Sequence, residues 1–163
     1  MGTASSVVVR KAVSKDSRSF LSLVTALANF EHLAPPSPAA KKRLVRDAFK
    51  KKRLNLLLAF ENGEPVGYAL YFFTYSSFLA RPTLYLEDIF VLENHRARGT
   101  GKKLFSSLVG EARKARCGRM EWAVLAWNSN AIRFYEDLGA KHLSDWHYYR
   151  LDERSIANLS KSK

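Results

Sequence analysis

The stretch His95-Arg96-Ala97-Arg98-Gly99-Thr100-Gly101-Lys102 carries residue types suited to holding an anion. Glycine tolerates positive φ and lets a ligand approach the main chain, while a helix N-terminus offers unbonded N–H groups and partial positive charge. Arg96, Arg98 and Lys102 add full charge around the same turn, which makes a pyrophosphate the fitting guest. The P-loop pattern would require Gly at 96 and Ser or Thr at 103, where the chain has Arg96 and Lys103. The dinucleotide fingerprint fails too, because Leu104 stands where its third glycine would be. A second signal is Glu87-Asp88, two acids inside an otherwise apolar run from Leu84 to Val91. Successive strand residues face opposite ways, so the two carboxylates share a side only if the strand is distorted, as by a bulge.

The elements that must position these residues follow from local pattern. Val7-Val8-Val9 reads as a strand, and Ser14 or Asp16 caps a helix with Phe20, Leu21, Val24, Leu27 and Ala28 on its apolar side, running out near His32. Ser37-Pro38 opens a second, basic helix to about Lys51. Leu54–Glu61 and Val66–Tyr75 flank Asn62-Gly63, a hairpin signal, and Leu84–Val91 is a further strand. Gly99-Thr100-Gly101 opens a helix with Leu104, Phe105, Leu108, Val109 and Ala112 on one face. Met120–Leu125 is expected as a strand, Asn128 or Asn130 as the cap of a short helix stopped by Gly139, and Trp146–Leu151 as the strand completing the sheet. The tail from Glu153 is polar and expected to fray.

The 163 residues, 47% of them hydrophobic, suit one globular α+β domain over 5–152 with a tail over 153–163. No apolar run approaches the roughly 20 residues of a membrane span. One cysteine, Cys117, excludes an internal disulfide, and no Cys/His cluster has metal-ligand spacing, so a reducing, cytoplasmic setting without metal is expected. Met1-Gly2 satisfies a loose myristoylation pattern and Asn158-Leu159-Ser160 a glycosylation pattern, both read as chance matches. Net charge is +12, concentrated in residues 41–53, with eight Lys/Arg and one Asp, and in residues 93–119, with eight Lys/Arg and two Glu. The first region reads as a solvated helix face, since Leu44, Val45, Ala48 and Phe49 form the opposite stripe. The second coincides with the glycine turn. Nucleic-acid binding is the competing reading of this charge, but no recognised reader motif is present.

Arg96-x-x-Gly99-x-Gly101 resembles the acyl-CoA signature of the GNAT superfamily of N-acetyltransferases. Tyr71-Phe72-Phe73-Thr74-Tyr75, Tyr85-Leu86-Glu87-Asp88-Ile89-Phe90-Val91, Ala126-Trp127-Asn128 and Phe134-Tyr135-x-x-x-Gly139-Ala140 are similar in order and spacing to the diamine (spermidine/spermine) acetyltransferase family, over most of residues 5–152. The resemblance implies a GNAT fold, a central antiparallel-rich mixed sheet splayed at an acetyl-CoA cleft and flanked by helices. It implies that main chain at Phe90 and Val91 meets the pantetheine arm, that Arg96, Ala97, Arg98, Gly99, Thr100, Gly101 and Lys102 hold the pyrophosphate, and that Asn128 and Tyr135 line the other side of the arm. It makes Tyr135 the general acid near the thioester sulfur, and Glu31, Glu87 and Asp88 the carboxylates that meet a small di- or polyamine. It also implies a homodimer.

The reaction accounts for these residue types. An alkylammonium, with pKa about 10.4, must lose a proton before attacking a thioester, and the departing thiolate must gain one. Glu87, through water, is the candidate base, with direct attack and no acyl-enzyme, so Cys117 has no nucleophilic task. Trp127 either lines the substrate channel or packs. Where the family tends to carry further acids, this chain reads His32-Leu33-Ala34-Pro35-Pro36 and then the basic helix. That departure leaves room for a smaller amine, a lysine- or thialysine-like amino acid, or a peptide amine.

Overall fold

A computed structural model describes residues 6–161, so the Gly2 pattern lies outside the described residues. Five strands form one sheet in sequence order: β1 (Val7–Lys11), β2 (Asn55–Glu61), β3 (Glu64–Ser76), β4 (Arg81–Val91) and β5 (Arg119–Trp122). The first three pairings are antiparallel and β4 pairs β5 in parallel, giving the antiparallel-rich mixed sheet expected of the α+β reading. Helix α1 (Ser17–Phe30) follows β1 through a 3-10 turn, and α2 (Pro38–Val45) continues as a π-helical turn over Arg46–Lys50. Helix α3 (Thr100–Lys114) joins β4 to β5, as a parallel pair requires. After β5 come α4 (Ser129–Asp137) and α5 (Glu153–Lys161).

Local chemistry explains most boundaries. Asn62 and Gly63 both take positive φ, 52° and 85°, as a two-residue turn matched to strand twist demands. Ser37 caps α2 through the Ala40 amide, with Pro38 in the first turn. Asp16 precedes α1, yet its carboxylate accepts from the Val13 amide and from Arg10 instead of capping the helix. The apolar residues Leu44, Ala48 and Phe49 pack against the core, which leaves the cations of residues 41–53 toward solvent.

The core on the α1 face of the sheet consists of Phe20 and Leu23 from α1 with Leu56, Leu58, Tyr68, Leu70 and Phe90 from the strands. Phe20 and Tyr68 meet edge to face at 5.5 Å, a favourable aromatic geometry. Leu104 and Leu108 of α3 are fully buried on the other side.

The register of β3 against β4 shifts between Leu70 and Tyr71: Leu70 pairs with Asp88, and Tyr71 with Leu86. Glu87 is therefore an extra residue, the bulge that Glu87-Asp88 called for. Its consequence is a change of parity. Leu86 shares the face of Tyr71, whose hydroxyl reaches Glu111 of α3, whereas Asp88 and Phe90 share the α1 face with Leu70 and Tyr68.

Three expectations are corrected. β5 ends at Trp122 instead of Leu125, because its partner residue Leu86 is the last before the bulge and the register cannot continue. Trp146–Leu151 forms no strand; Trp146, Tyr148 and Tyr149 are exposed, and β propensity without a pairing edge does not make a strand. The segment from Glu153 is helical, not frayed, and begins with Asp152 accepting from the Ser155 amide at 2.8 Å. The chain divides into two compact units, one up to Ala123 and one from Val124 on.

Gly67 shows how tightly β3 approaches β4. A Cβ there would lie 2.7 Å from the Phe90 carbonyl oxygen and 3.2 Å from Val91 Cγ2. Gly67→Ala is expected to destabilise the fold by about 1–3 kcal/mol through overpacking, which outweighs the roughly 0.5–1 kcal/mol that Ala ordinarily gains over Gly. Chemical denaturation of the pair of proteins measures the difference.

Candidate active site

In the first unit the bulge opens the sheet. β4 pairs β5 only from Thr83 to Leu86, so among the described residues no strand pairs that edge of β4 from Glu87 to Val91. A sheet edge presents N–H and C=O groups to a ligand, although here the Val91 carbonyl already accepts from Arg96. The edge leads directly into the glycine turn. Gly99 stands at the N-cap of α3 with φ 83°, a conformation that suits glycine, and Ala97 also has positive φ. The first-turn N–H groups of α3 have no acceptor within the helix, as at any helix start. Lys102 is exposed beside them.

Two cations of this loop have other partners. Arg96 donates from Nε to the Val91 carbonyl at 2.8 Å, and its guanidinium lies 4.4 Å from the Phe30 ring centre and 5.4 Å from that of Phe90. It thereby ties the end of β4 to the end of α1. Arg98 lies 3.6 Å from the buried carboxylate of Glu61, which also bonds the His95 ring at Nδ1. Glu61 is thus an anchor for the loop that sequence reading missed. It ends β2, 34 residues before His95, and only strand pairing brings it near.

The acids Glu31, Glu87 and Asp88 gather on the same unit. Asp88 is mostly buried on the α1 face, and its Oδ2 accepts from the Tyr68 hydroxyl at 3.0 Å. Burial pushes its carboxyl up to about 6, the nearby charges of Glu87 and Glu31 add to that rise, and the Tyr68 hydrogen bond opposes it. Glu31 directly follows α1, and partial burial raises its carboxyl too. Glu87 is exposed on the bulge. No ion pair involves any of the three among the described residues.

The second unit holds the remaining expected residues. Asn128 caps α4, its side-chain oxygen accepting from the Ala131 amide, and Gly139 closes that helix with φ 85°. Tyr135 is buried on α4, and burial pushes its phenol up to about 12, so it holds its proton at neutral pH. Trp127 is half exposed. Cys117 lies in the α3–β5 turn, where burial raises its thiol above the ordinary value, the reverse of an activated nucleophile. Among the described residues no His/Cys/Asp/Glu group is disposed to hold a metal, and no helix is long and apolar enough to cross a membrane.

A mixed sheet that opens beside a basic glycine turn at a helix start defines a class of acyl-transfer fold. The profile of the Acetyltransferase (GNAT) family matches residues 21–140, and the chain belongs to this family of N-acetyltransferases. Among curated relatives, a thialysine N-epsilon-acetyltransferase of Sus scrofa is 32% identical over 95% of this chain and 98% of its own length. An L-ornithine N5-acetyltransferase of Arabidopsis thaliana is 38% identical over 71% of this chain, which spans about half (48%) of that longer relative. A spermidine/spermine N(1)-acetyltransferase-like protein of Homo sapiens is 29% identical over 93% of this chain and 23% of its own. Among solved structures, an integron cassette protein from V. cholerae superposes with a TM-score of 0.82 at 22% identity, covering 99% of this chain and all of that one. An aminoglycoside N-acetyltransferase in complex with CoA gives 0.77 at 20% identity, covering 93% of this chain and 98% of that one.

Arg96 is placed to hold the loop through packing as much as charge. Arg96→Ala is expected to cost about 2 kcal/mol of stability through the lost hydrogen bond and ring contacts. Equilibrium unfolding reads that loss without any ligand present.

Proposed function

We propose that the chain transfers an acetyl group from acetyl-CoA to a terminal primary amine of a small diamine or diamino acid. The observation that carries this reading is the convergence of Glu31, Glu87 and Asp88 with no ion-pair partner among the described residues, in a chain with 27 Lys and Arg against 15 Asp and Glu. Acids left unpaired amid such an excess of cations suit a cationic guest. The relatives named for thialysine, ornithine and spermidine/spermine share an aliphatic chain ending in an amine.

The donor's fit is judged on residues of this chain. Phe90 and Val91 lie on the unpaired edge of β4, and residues 96–102 form the basic turn with Gly99 in its left-handed conformation. Arg96 is committed to the Val91 carbonyl and Arg98 lies beside Glu61, which leaves Lys102 and the α3 N–H groups as the first to meet the pyrophosphate. Bound acetyl-CoA supplies an activated acetyl group. Glu87, exposed on the bulge, would accept the amine's proton through water while Asp88 and Glu31 meet its charge, and the resemblance assigns Tyr135 of the second unit, which keeps its proton through the neutral range, as the acid for the leaving thiolate. The resemblance assigns Asn128 to the pantetheine arm and Trp127 to the acceptor.

A short acceptor is favoured over spermine because residues 41–53, in α2 and the stretch after it, set a net charge of +7 beside Leu21 of α1. A carboxylate on the acceptor would tolerate that field, and a third or fourth ammonium would not. The second unit also exposes Leu143, Trp146, Tyr148, Tyr149, Leu151, Ile156 and Leu159, apolar and aromatic side chains whose exposure supports the homodimer reading. The reduced thiol of Cys117 suits the cytoplasm.

The deciding experiment is thiol release from acetyl-CoA over thialysine, ornithine, lysine, putrescine, spermidine, spermine and a lysine peptide. Short diamines or diamino acids should be preferred, and Tyr135→Phe should lower kcat by about a hundredfold or more. Turnover of the peptide alone would overturn the acceptor assignment, and absence of CoA binding the whole reading. Binding of butylguanidinium, which keeps its charge across the range, should weaken as pH falls through about 6, where Asp88 takes up a proton. Light scattering should return twice the chain mass.

A further inference from the structure

Tyr68 is fully buried in the α1-face core, beside Leu70 and Phe72 of the same strand. A phenylalanine would fill that space and keep the edge-to-face contact with Phe20. The hydroxyl has a different partner: it reaches across to β4 and donates to Asp88 Oδ2 at 3.0 Å. The pair depends on Glu87 being absorbed as a bulge: were Glu87 an ordinary member of the strand, Asp88 would share the α3 face of Leu86, two residues before it, away from Tyr68.

We propose that Tyr68 is a positioning residue for the acceptor amine: its hydroxyl holds one carboxylate oxygen of Asp88, so that the other is presented to the substrate's ammonium group. The inference rests on the acceptor reading of Asp88 given above.

Several features support it. A carboxylate beside two other acids and without a cation would otherwise turn toward water or take up a proton, and a buried neutral donor favours the charged form without cancelling the charge. Tyr68 is suited to this because burial and the neighbouring acids hold its phenol far above the ordinary value, so it remains a donor at every working pH. An Arg or Lys in its place would neutralise the charge that the substrate is to meet. The groups around Asp88 are Tyr68 from β3, Glu31 following α1 and Glu87 on β4 itself. The guanidinium of Arg96 lies over Phe30 and Phe90 on this face, with its Nε committed to the Val91 carbonyl.

The test compares wild type, Tyr68→Phe and Asp88→Asn by the pH dependence of butylguanidinium inhibition and by KM and kcat for the best amine of the panel. In Tyr68→Phe the hydrogen bond that lowers the Asp88 carboxyl is lost, so the inflection should move up, by about one pH unit. KM for the amine should rise about two- to tenfold at neutral pH, with the KM for acetyl-CoA unchanged. A merely space-filling role for Tyr68 would change the melting temperature and leave the inflection in place, which would overturn the proposal. Asp88→Asn should abolish the inflection. If it does so while Tyr68→Phe moves nothing, only the positioning role fails; if the inflection survives Asp88→Asn, the acceptor reading fails with it. Should Tyr68→Phe not fold, 3-fluorotyrosine placed at position 68 keeps the shape and donates more strongly, and it should move the inflection down. An unmoved inflection there overturns the proposal equally.

Discussion

One extra residue in β4 governs the first unit. A strand alternates its faces with period two, and a residue absorbed as a bulge reverses that alternation along the sequence for everything beyond it. In this chain Glu87 is that residue. Before it, Leu84 and Leu86 are fully buried and β4 keeps its parallel register with β5; after it, Phe90 enters the α1 core and Asp88 meets Tyr68. The same irregularity ends the β4–β5 pairing at Leu86–Trp122, which leaves the edge at Phe90 and Val91 without a strand neighbour. The opening in the sheet and the turning of an acid into the α1 face are thus two outcomes of one insertion.

The bulge was legible in the sequence because two consecutive acids in an apolar strand cannot both avoid the core of a regular sheet. The glycine turn was legible for a similar reason: Gly99 stands where the chain needs a left-handed residue at the start of a helix. Both signals are local. The Glu61 anchor is not, since Glu61 reads as one more polar residue beside a hairpin turn until β2 lies next to the loop carrying His95 and Arg98. The partner of Tyr68 was hidden likewise, because the pairing that joins it to Asp88 depends on the register shift itself. Trp146–Leu151 shows the converse failure: its residue types suit a strand, but strand formation is a property of two segments and not of one. Asp152 gave a local cap signal that its polar setting obscured.

How the chain treats its acids separates architecture from the proposed chemistry. Asp16 is buried, but two hydrogen bonds from Arg10 and one from the Val13 amide hold its carboxyl below the usual range. Glu111, whose burial alone would raise it, is brought below its ordinary value by Lys11 and Lys114. Glu61 has His95 and Arg98. These are the arrangements expected when a buried charge must be compensated within the fold, because an uncompensated one is costly. Asp88 and Glu31 depart from that pattern: burial raises both, their neighbours include other acids, and the polar contact described for Asp88 is a neutral phenol. With 27 cations in the sequence, a structural partner was readily available, and among the described residues none forms an ion pair with either acid. Such unrelieved charge destabilises the protein by itself and is relieved when a cation arrives from solution, so the cost of the site in the free protein becomes affinity for an amine.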